Sequence, residues 1–463
     1  MYYKPVLSKP YSQADLEAIL ADAIRVLDKL GVACEDPATV ETLTATPGIC
    51  HEAGRLRFST QATREHMEEV WRIAQPETEE PPFVAKAPWC CLNYADPQTG
   101  EVRPATTQDA ILATRMMDAR GDSDWPVPVI PSDVNPRHQT LRAEWVAIGN
   151  SRYLGGFMPA TDFTEIEFLI EMNQAAGRTY QLVEQIGISP LRFTDHGLAA
   201  ANHFVGRKDV AVRLVGPIPA VGSTCPFPLR SAMVQTVAES LALSVTIARL
   251  GLGTGGFGAV LEPMDFQYMT MTFGSVEEML YALVTAQMSE FLNRRPRRHG
   301  TFHTTSKLPD SHAAVDRATG VLWQALLGVR RFRGAGQMSV DEVFSPQQAI
   351  IDDEILSRVA RVIRGLDPLA AGGDAVDEIA EGLETRTYLD LPQTVSRFRE
   401  FCHFPKLFKH CSLGHWRAEG SPNLLAEAWR MAEEQIARCD FHLPEDQAAA
   451  VTRVYEKAVK AVI

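Results

Sequence analysis

The most constraining feature of this chain is an alternation. Between Trp89 and Gly334, short apolar runs alternate with longer stretches of helical period. The runs are Trp89 to Tyr94, Val127 to Pro131, Tyr153 to Met158, Gln181 to Ser189, Val210 to Gly216, Gly255 to Val260, His299 to Thr304 and Val329 to Gly334. Helical segments between them include Gln108 to Arg120, Phe163 to Ala176, Leu229 to Leu250, Val276 to Asn293 and Ala313 to Leu327. About eight strand–helix units in about 250 residues predict an α/β fold, a (β/α)8 barrel of the TIM type. A doubly wound open sheet is the competing arrangement.

The flanks differ in texture. Residues 12 to 31 read as an amphipathic helix that Ser12 can cap, with Leu16, Ile19, Leu20, Ile24 and Leu27 as its stripe. Cys50 to Phe58 predicts a small hairpin turning at Gly54, and Thr60 to Ile73 a second helix. The proline-broken Pro76 to Pro82 marks a boundary. After Ser345 the pattern is helical: Asp352 to Gly365, Ala375 to Gly382, Ser421 to Ala437 and Glu445 to Val462. The expected organisation is a helical extension with a hairpin over 1–80, a barrel over 81–345, and a helical region over 346–463 that completes and caps it. That last region also reads as an oligomerisation layer, so a homo-oligomer is expected.

Composition narrows the partners. With 463 residues, 45% hydrophobic, the chain can bury a large core. Its formal net charge of −13 argues against nucleic acid or an anionic membrane surface and suits a cationic or neutral small ligand. Met1 to Pro5 lacks an apolar secretory core, and Arg249 interrupts the apolar stretch Ser240 to Gly253, so a cytoplasmic protein is expected. The eight cysteines have no framework spacing and read as reduced thiols.

Three motifs fail on inspection. Gly251 to Gly256 satisfies G-x-G-x-x-G, but a helix precedes it where a dinucleotide fingerprint needs a strand. Those glycines read better as a helix C-cap and a close backbone approach. Cys402, His403, His410, Cys411 and His415 match no zinc spacing. Asp310-Ser311-His312 begins like the Asp-x-His-x-x-Gly loop of corrinoid carriers, but Val315 stands where glycine should be. This chain is therefore expected to bind no corrinoid itself. With no His-x-His pair either, no metal is expected.

Aromatic residues near the expected strand ends are more suggestive: Trp89, Tyr94, Phe157, Phe193, Phe257, Phe302, Phe332 and Phe344. A set of ring faces at one barrel mouth suits a quaternary ammonium, which the ring quadrupole attracts and which cannot donate hydrogen bonds. The alternative is ordinary core packing.

Taken in order, several stretches resemble one family. Leu27-Asp28-Lys29-Leu30-Gly31-Val32, Ser189-Pro190-Leu191, Ala238-Glu239-Ser240 and Ile351-Asp352-Asp353-Glu354-Ile355 are similar to landmarks of the trimethylamine methyltransferase family. Thr304-Thr305-Ser306-Lys307-Leu308-Pro309-Asp310 resembles its Ser-Asp-Ser-Lys-x-Pro-Asp stretch, with Thr305 in place of the first aspartate. The resemblance implies a (β/α)8 barrel that moves a methyl group from a methylated amine to the Co(I) of a separate corrinoid protein. In the trimethylamine branch, pyrrolysine sits just before that stretch; the matching position here is His303. The branch without pyrrolysine is associated with quaternary amines, so glycine betaine or a related betaine becomes the expected substrate.

On that resemblance His303 is the expected catalytic residue, holding or orienting the substrate. Tyr94, Phe257, Phe302, Phe332 and Phe344 are the expected cage, and Arg192, Lys307, Arg331 and Arg333 the candidate clamps for a carboxylate. Glu239 is expected to support the site. A methylammonium-binding or corrinoid-docking barrel without turnover, and a methyltransferase of another amine, are the alternatives.

Overall fold

A computed structural model describes residues 6–74, 80–121, 127–156, 162–366 and 373–462. It is a mixed α/β molecule in which long helices pack around several short sheets. Helix Gln13–Lys29 starts where expected. Ser12 accepts from the Asp15 amide, and the Asp15 carboxylate accepts in turn from the Ser12 amide. Its stripe of Leu16, Ile19, Leu20, Ile24 and Leu27 is buried, each side chain contributing about 1.5–3 kcal/mol. It shares one core with helix Leu229–Arg249. The hairpin Ile49–Glu52 and Arg55–Phe58 turns through Ala53 and Gly54, both at positive φ (50° and 74°). It adds Val32–Ala33 antiparallel, and Ala33 pairs in parallel with Arg192.

The expected strand–helix alternation is present in pieces. Tyr180–Gln185 runs parallel to Val210–Val215 in unbroken register, Tyr180 opposite Val210. His299–Thr301 runs parallel to Arg331–Arg333, which pairs on its other side with Val84–Ala85. The last expected strand therefore lies beside the start of the same region. Asn93–Ala95 pairs with Val343–Phe344, and Cys91 bridges Val129. Among the described residues these strands do not join into one closed ring. The stretch Tyr153 to Met158, with Phe157, lies partly outside the described residues, as does the boundary Pro76 to Pro82.

One expected strand is absent because its amides are already engaged. Gly255 to Val260 carries no ladder. Its amides are taken by side chains of the two flanking helices. Phe257, Gly258, Ala259 and Val260 donate to Asn293 Oδ1, Ser240 Oγ, Ser289 Oγ and Thr236 Oγ1, at 3.1, 2.7, 3.1 and 3.2 Å. Helix side chains have replaced the neighbouring strand. The glycines before it behave as read: Gly251 and Gly253 follow the helix end at φ 74° and 116°. A Cβ on Gly255 would lie 2.6 Å from Ser244 Oγ.

A second core gathers Tyr94, Phe302, Phe332 and Phe344 beneath helices Ser311–Leu326 and Pro346–Arg364. Helix Leu229–Arg249 is long and apolar enough to cross a membrane, but 72% of its most apolar window is buried in the protein.

Candidate functional site

The stretch from His299 to Asp310 leaves its strand beside a cavity of about 740 Å³, within the size range of small-molecule sites. The walls come from several parts of the chain. The glycine segment Leu252 to Gly255, Leu261 and Glu262, and Phe273 and Gly274 line it. So do Glu278 and Met279 of helix Val276–Asn293, Phe302 and His303, Trp89, and Asp341.

His303 is the centre of the polar wall. Its ring lies flat on Phe273, centroids 3.9 Å apart and planes 3° apart. Its Nδ1 meets Glu278 Oε1 at 2.6 Å. Both side chains keep a little exposure, 13% and 17%, so the pair opens onto space instead of being sealed. Glu278 sits in the first turn of its helix, capped by Ser275, and its other oxygen accepts from the Gly274 amide at 2.6 Å. Gly274 holds φ 80°, a conformation most side chains avoid.

Glu262 completes the group. One oxygen or nitrogen each from Glu262, Glu278 and His303 lies within 4.8 Å of the others. Burial, then the Glu278 charge, pushes the Glu262 carboxyl up to about 8. Burial works against ionising Glu278 too, but the His303 charge and hydrogen bond prevail and hold it below the usual range. For His303, burial favours the neutral ring. The charge and hydrogen bond of Glu278, with Glu262 and Asp341 behind them, outweigh it and raise the ring to about 9.

Asp341 is aimed by strained backbone. Ser339, Val340 and Asp341 are consecutive non-glycine residues at φ 55°, 54° and 71°, each costing on the order of 1 kcal/mol. The run is held by the exit of the histidine strand. The Ser339 amide donates to Ser306 O at 2.8 Å and the Val340 amide to Thr304 O at 3.2 Å. Ser306 in turn donates to Asp310, the N-cap of helix Ser311–Leu326. The polar residues after His303 thus build the turn that fixes the loop opposite.

Of the residues singled out in sequence, the structure brings His303 and Phe302 to the cavity, together with Trp89 and Arg333. The Arg333 guanidinium lies 5.4 Å from the Trp89 ring centroid. The others lie elsewhere. Tyr94 and Phe344 pack on each other at 6.2 Å, Phe332 packs behind Phe302, and Phe257 meets His66 edge-on. All four are core residues, because they sit on the inward face of their strands or under a helix. Arg192 and Lys307 are exposed, and Lys307 donates to Thr305 O at 2.7 Å. Arg331 is half-buried in its strand outside the lining. Glu239 is buried and accepts from Ser189 Oγ and the Leu191 amide, both at 2.8 Å. It ties together two of the stretches that carry the family resemblance.

The acidic partners escaped sequence reading for definable reasons. Glu278 looks like any acid complementing a helix N-terminus. Glu262 ends an apolar run before Pro263, where a buried carboxylate has no local signature. The cysteine and histidine cluster near residue 400 gathers no metal set among the described residues. Cys402 and Cys411 are exposed free thiols, and His403 Nε2 lies 3.2 Å from Ser357 Oγ.

Comparison with known proteins places this geometry. A family model described as trimethylamine methyltransferase (MTTB) matches residues 160–456, which contain His303, Glu262, Glu278 and Asp341. Trimethylamine methyltransferase MttB of Methanosarcina barkeri is 27% identical over 247 residues, 52% of this chain and 48% of that protein. Trimethylamine methyltransferase MttB1 of Methanosarcina acetivorans is 28% identical over 251 residues, 52% of this chain and 49% of the relative. MttB2 of Methanosarcina mazei is 26% identical over 239 residues. The chain spans about half the length of the curated relatives it matches.

Proposed function

Because the chain belongs to the trimethylamine methyltransferase family, we propose that it takes a methyl group from a methylated amine. The substrate is a quaternary amine of the betaine class, glycine betaine first among them. The acceptor is the cobalt of a corrinoid carried by a partner protein. The observation that carries this reading is the position of His303. The residue that the resemblance sets at the family's pyrrolysine position stands on the wall of the 740 Å³ cavity, ion-paired to Glu278 and stacked on Phe273.

The cavity wall suits an alkylated cation. Trp89 and Phe273 line it with aromatic rings, and each face within about 6 Å of a quaternary nitrogen contributes about 0.5–2 kcal/mol. Glu278, held ionised beside His303, adds negative charge at the same wall. A quaternary nitrogen leaves as a neutral tertiary amine without a proton, so the protein's work is to bind, desolvate and aim the methyl group. Arg333 and Arg297 are among the cations in the lining that could meet a substrate carboxylate.

The corrinoid would supply the nucleophile. Residues beside the cavity fit its approach. Phe227, Phe266, Tyr268 and Met269 are 67%, 53%, 73% and 68% exposed. The last three lie on a hairpin between the lining residues Glu262 and Phe273. That apolar shelf suits the edge of a macrocycle presented by another protein. All eight cysteines are free thiols, in keeping with a reducing cytoplasm where a Co(I) acceptor survives. The parallel pairing of Val84–Ala85 with Arg331–Arg333 supports reading the interrupted strands as an irregular (β/α)8 barrel.

The test is methyl transfer from a panel of betaines and methylamines to free cob(I)alamin, followed by the change in cobalt absorbance. Turnover with at least one betaine is expected. No methylation from any member would overturn the enzyme, and calorimetric betaine binding without transfer would assign a binding protein instead.

A further inference from the structure

The group formed by Glu262, Glu278 and His303 contains one atom that the hydrogen-bonded structure leaves unused. Glu262 is 8% exposed, and its Oε2 is buried with no hydrogen-bond partner. A buried carboxylate oxygen without a donor is unfavourable, and a cation is the simplest group that would satisfy it. We propose that Glu262, Glu278 and His303 form a site for one divalent transition-metal ion of the zinc, manganese or cobalt class, with its open positions facing the cavity.

Geometry and donor chemistry agree. Nitrogen and oxygen ligands at about 2.0–2.2 Å from a metal stand about 3–4 Å from one another. The three donor atoms lie within 4.8 Å, and the His303–Glu278 contact is 2.6 Å, so shifts of about an ångström assemble the shell. One imidazole and two carboxylates make a borderline-to-hard set. The imidazole disfavours magnesium and calcium, and the lack of thiolate disfavours Cu(I). Three protein ligands with a cavity beyond them are the pattern of an open site, not of a closed structural one.

The donors are also held in place. Glu262 is pinned by its backbone: its amide donates to Pro219 O at 3.0 Å and its carbonyl accepts from Val221 at 2.9 Å. Glu278 is fixed by the helix start and the Gly274 amide. His303 is fixed by its stack on Phe273. In the metal-free chain the His303–Glu278 ion pair occupies two of the three ligands. The open positions would take one oxygen of a betaine carboxylate, with Arg297 or Arg333 of the same lining on the other, leaving the quaternary nitrogen to the aromatic wall. That last step rests on the substrate class proposed above; the metal site does not.

The full chain, stripped by chelation and re-equilibrated separately with Zn2+, Mn2+ and Co2+, is analysed for bound metal. One equivalent is expected for at least one ion, weakened tenfold or more in Glu262→Gln and unchanged in Glu277→Gln, an exposed neighbour on the same helix. Less than a tenth of an equivalent with every ion overturns the site, as does equal binding in Glu262→Gln and the unaltered chain. Should Glu262→Gln fail to fold by circular dichroism, Glu278→Gln takes its place. With Co2+ bound, glycine betaine is expected to shift the visible cobalt spectrum. An unchanged spectrum overturns the carboxylate assignment. Metal content is read without turnover, so methyl transfer by metal-free protein would overturn a catalytic need for the metal and leave the methyltransferase intact.

Discussion

Two ion pairs lie within one region of this molecule and do opposite things. Arg317 and Asp352 are fully enclosed, each side chain 0% exposed. Asp352 accepts from Arg317 at 2.6 Å, from the Gly336 amide at 2.7 Å and from Gln348 at 2.9 Å. The pair sits under Phe302 and locks helix Ser311–Leu326 to helix Pro346–Arg364. His303 and Glu278, half-buried, face a cavity and leave the neighbouring Glu262 oxygen without a donor. A carboxylate with its lone pairs filled serves the fold, whereas one held at a cavity wall with capacity to spare serves a ligand.

The comparison breaks most sharply at Asp352. Asp352→Ala is expected to lower stability by about 3–5 kcal/mol, because it strands a buried guanidinium. Thermal denaturation checks this, and a loss under about 1 kcal/mol would show that the enclosed pair is not structural.

Glu184 sharpens it as a carboxylate with neither partner nor cavity. It is 8% exposed, its Oε1 has no hydrogen-bond partner, and burial raises it to about 7. The folded protein therefore holds this proton more tightly than the unfolded chain. The stability so gained is complete below the unfolded value near 4.5 and is lost as pH rises through about 7. Glu184→Gln is expected to match the unaltered protein at pH 4 and to exceed it by about 3 kcal/mol at pH 9. Parallel denaturation curves at the two pH values test the sign.

His303→Ala should separate the two pairs by function. Methyl transfer is expected to fall about 100-fold through lost positioning, while stability falls by about 1–3 kcal/mol, less than at Asp352, since a cavity-facing pair holds no helices together. Unaltered transfer would put the site elsewhere. The smallest effect belongs to Lys307→Ala. The side chain is exposed and bonded to its own turn, so stability should move by under about 0.5 kcal/mol and transfer not at all.

Much of this organisation was legible in the chain because it is local. Capping at Ser12, the stripe from Leu16 to Leu27, the turn at Gly54 and the helices beginning at Thr60 and Val276 follow from neighbouring residues. The failures are non-local. Tyr94, Phe257, Phe332 and Phe344 belonged on strand ends by pattern, but the facing helices decided that they fill the core. Gly255 to Val260 has strand character, yet Asn293, Ser240, Ser289 and Thr236 of the two flanking helices, 18 to 36 positions away, intercept its amides.

By itself the sequence determined the alternation of apolar runs and helices and the family resemblance, and through that resemblance it singled out His303 as a candidate. These rest on residue type and short-range order. Only the tertiary structure decided what His303 faces. Glu262, Glu278, Phe273 and Asp341 lie 41, 25, 30 and 38 positions away in the chain, and nothing in their own surroundings marks them as partners. A buried carboxylate acquires its chemistry from the groups that folding brings within a few ångströms, and that distance is not written in any one stretch of the chain.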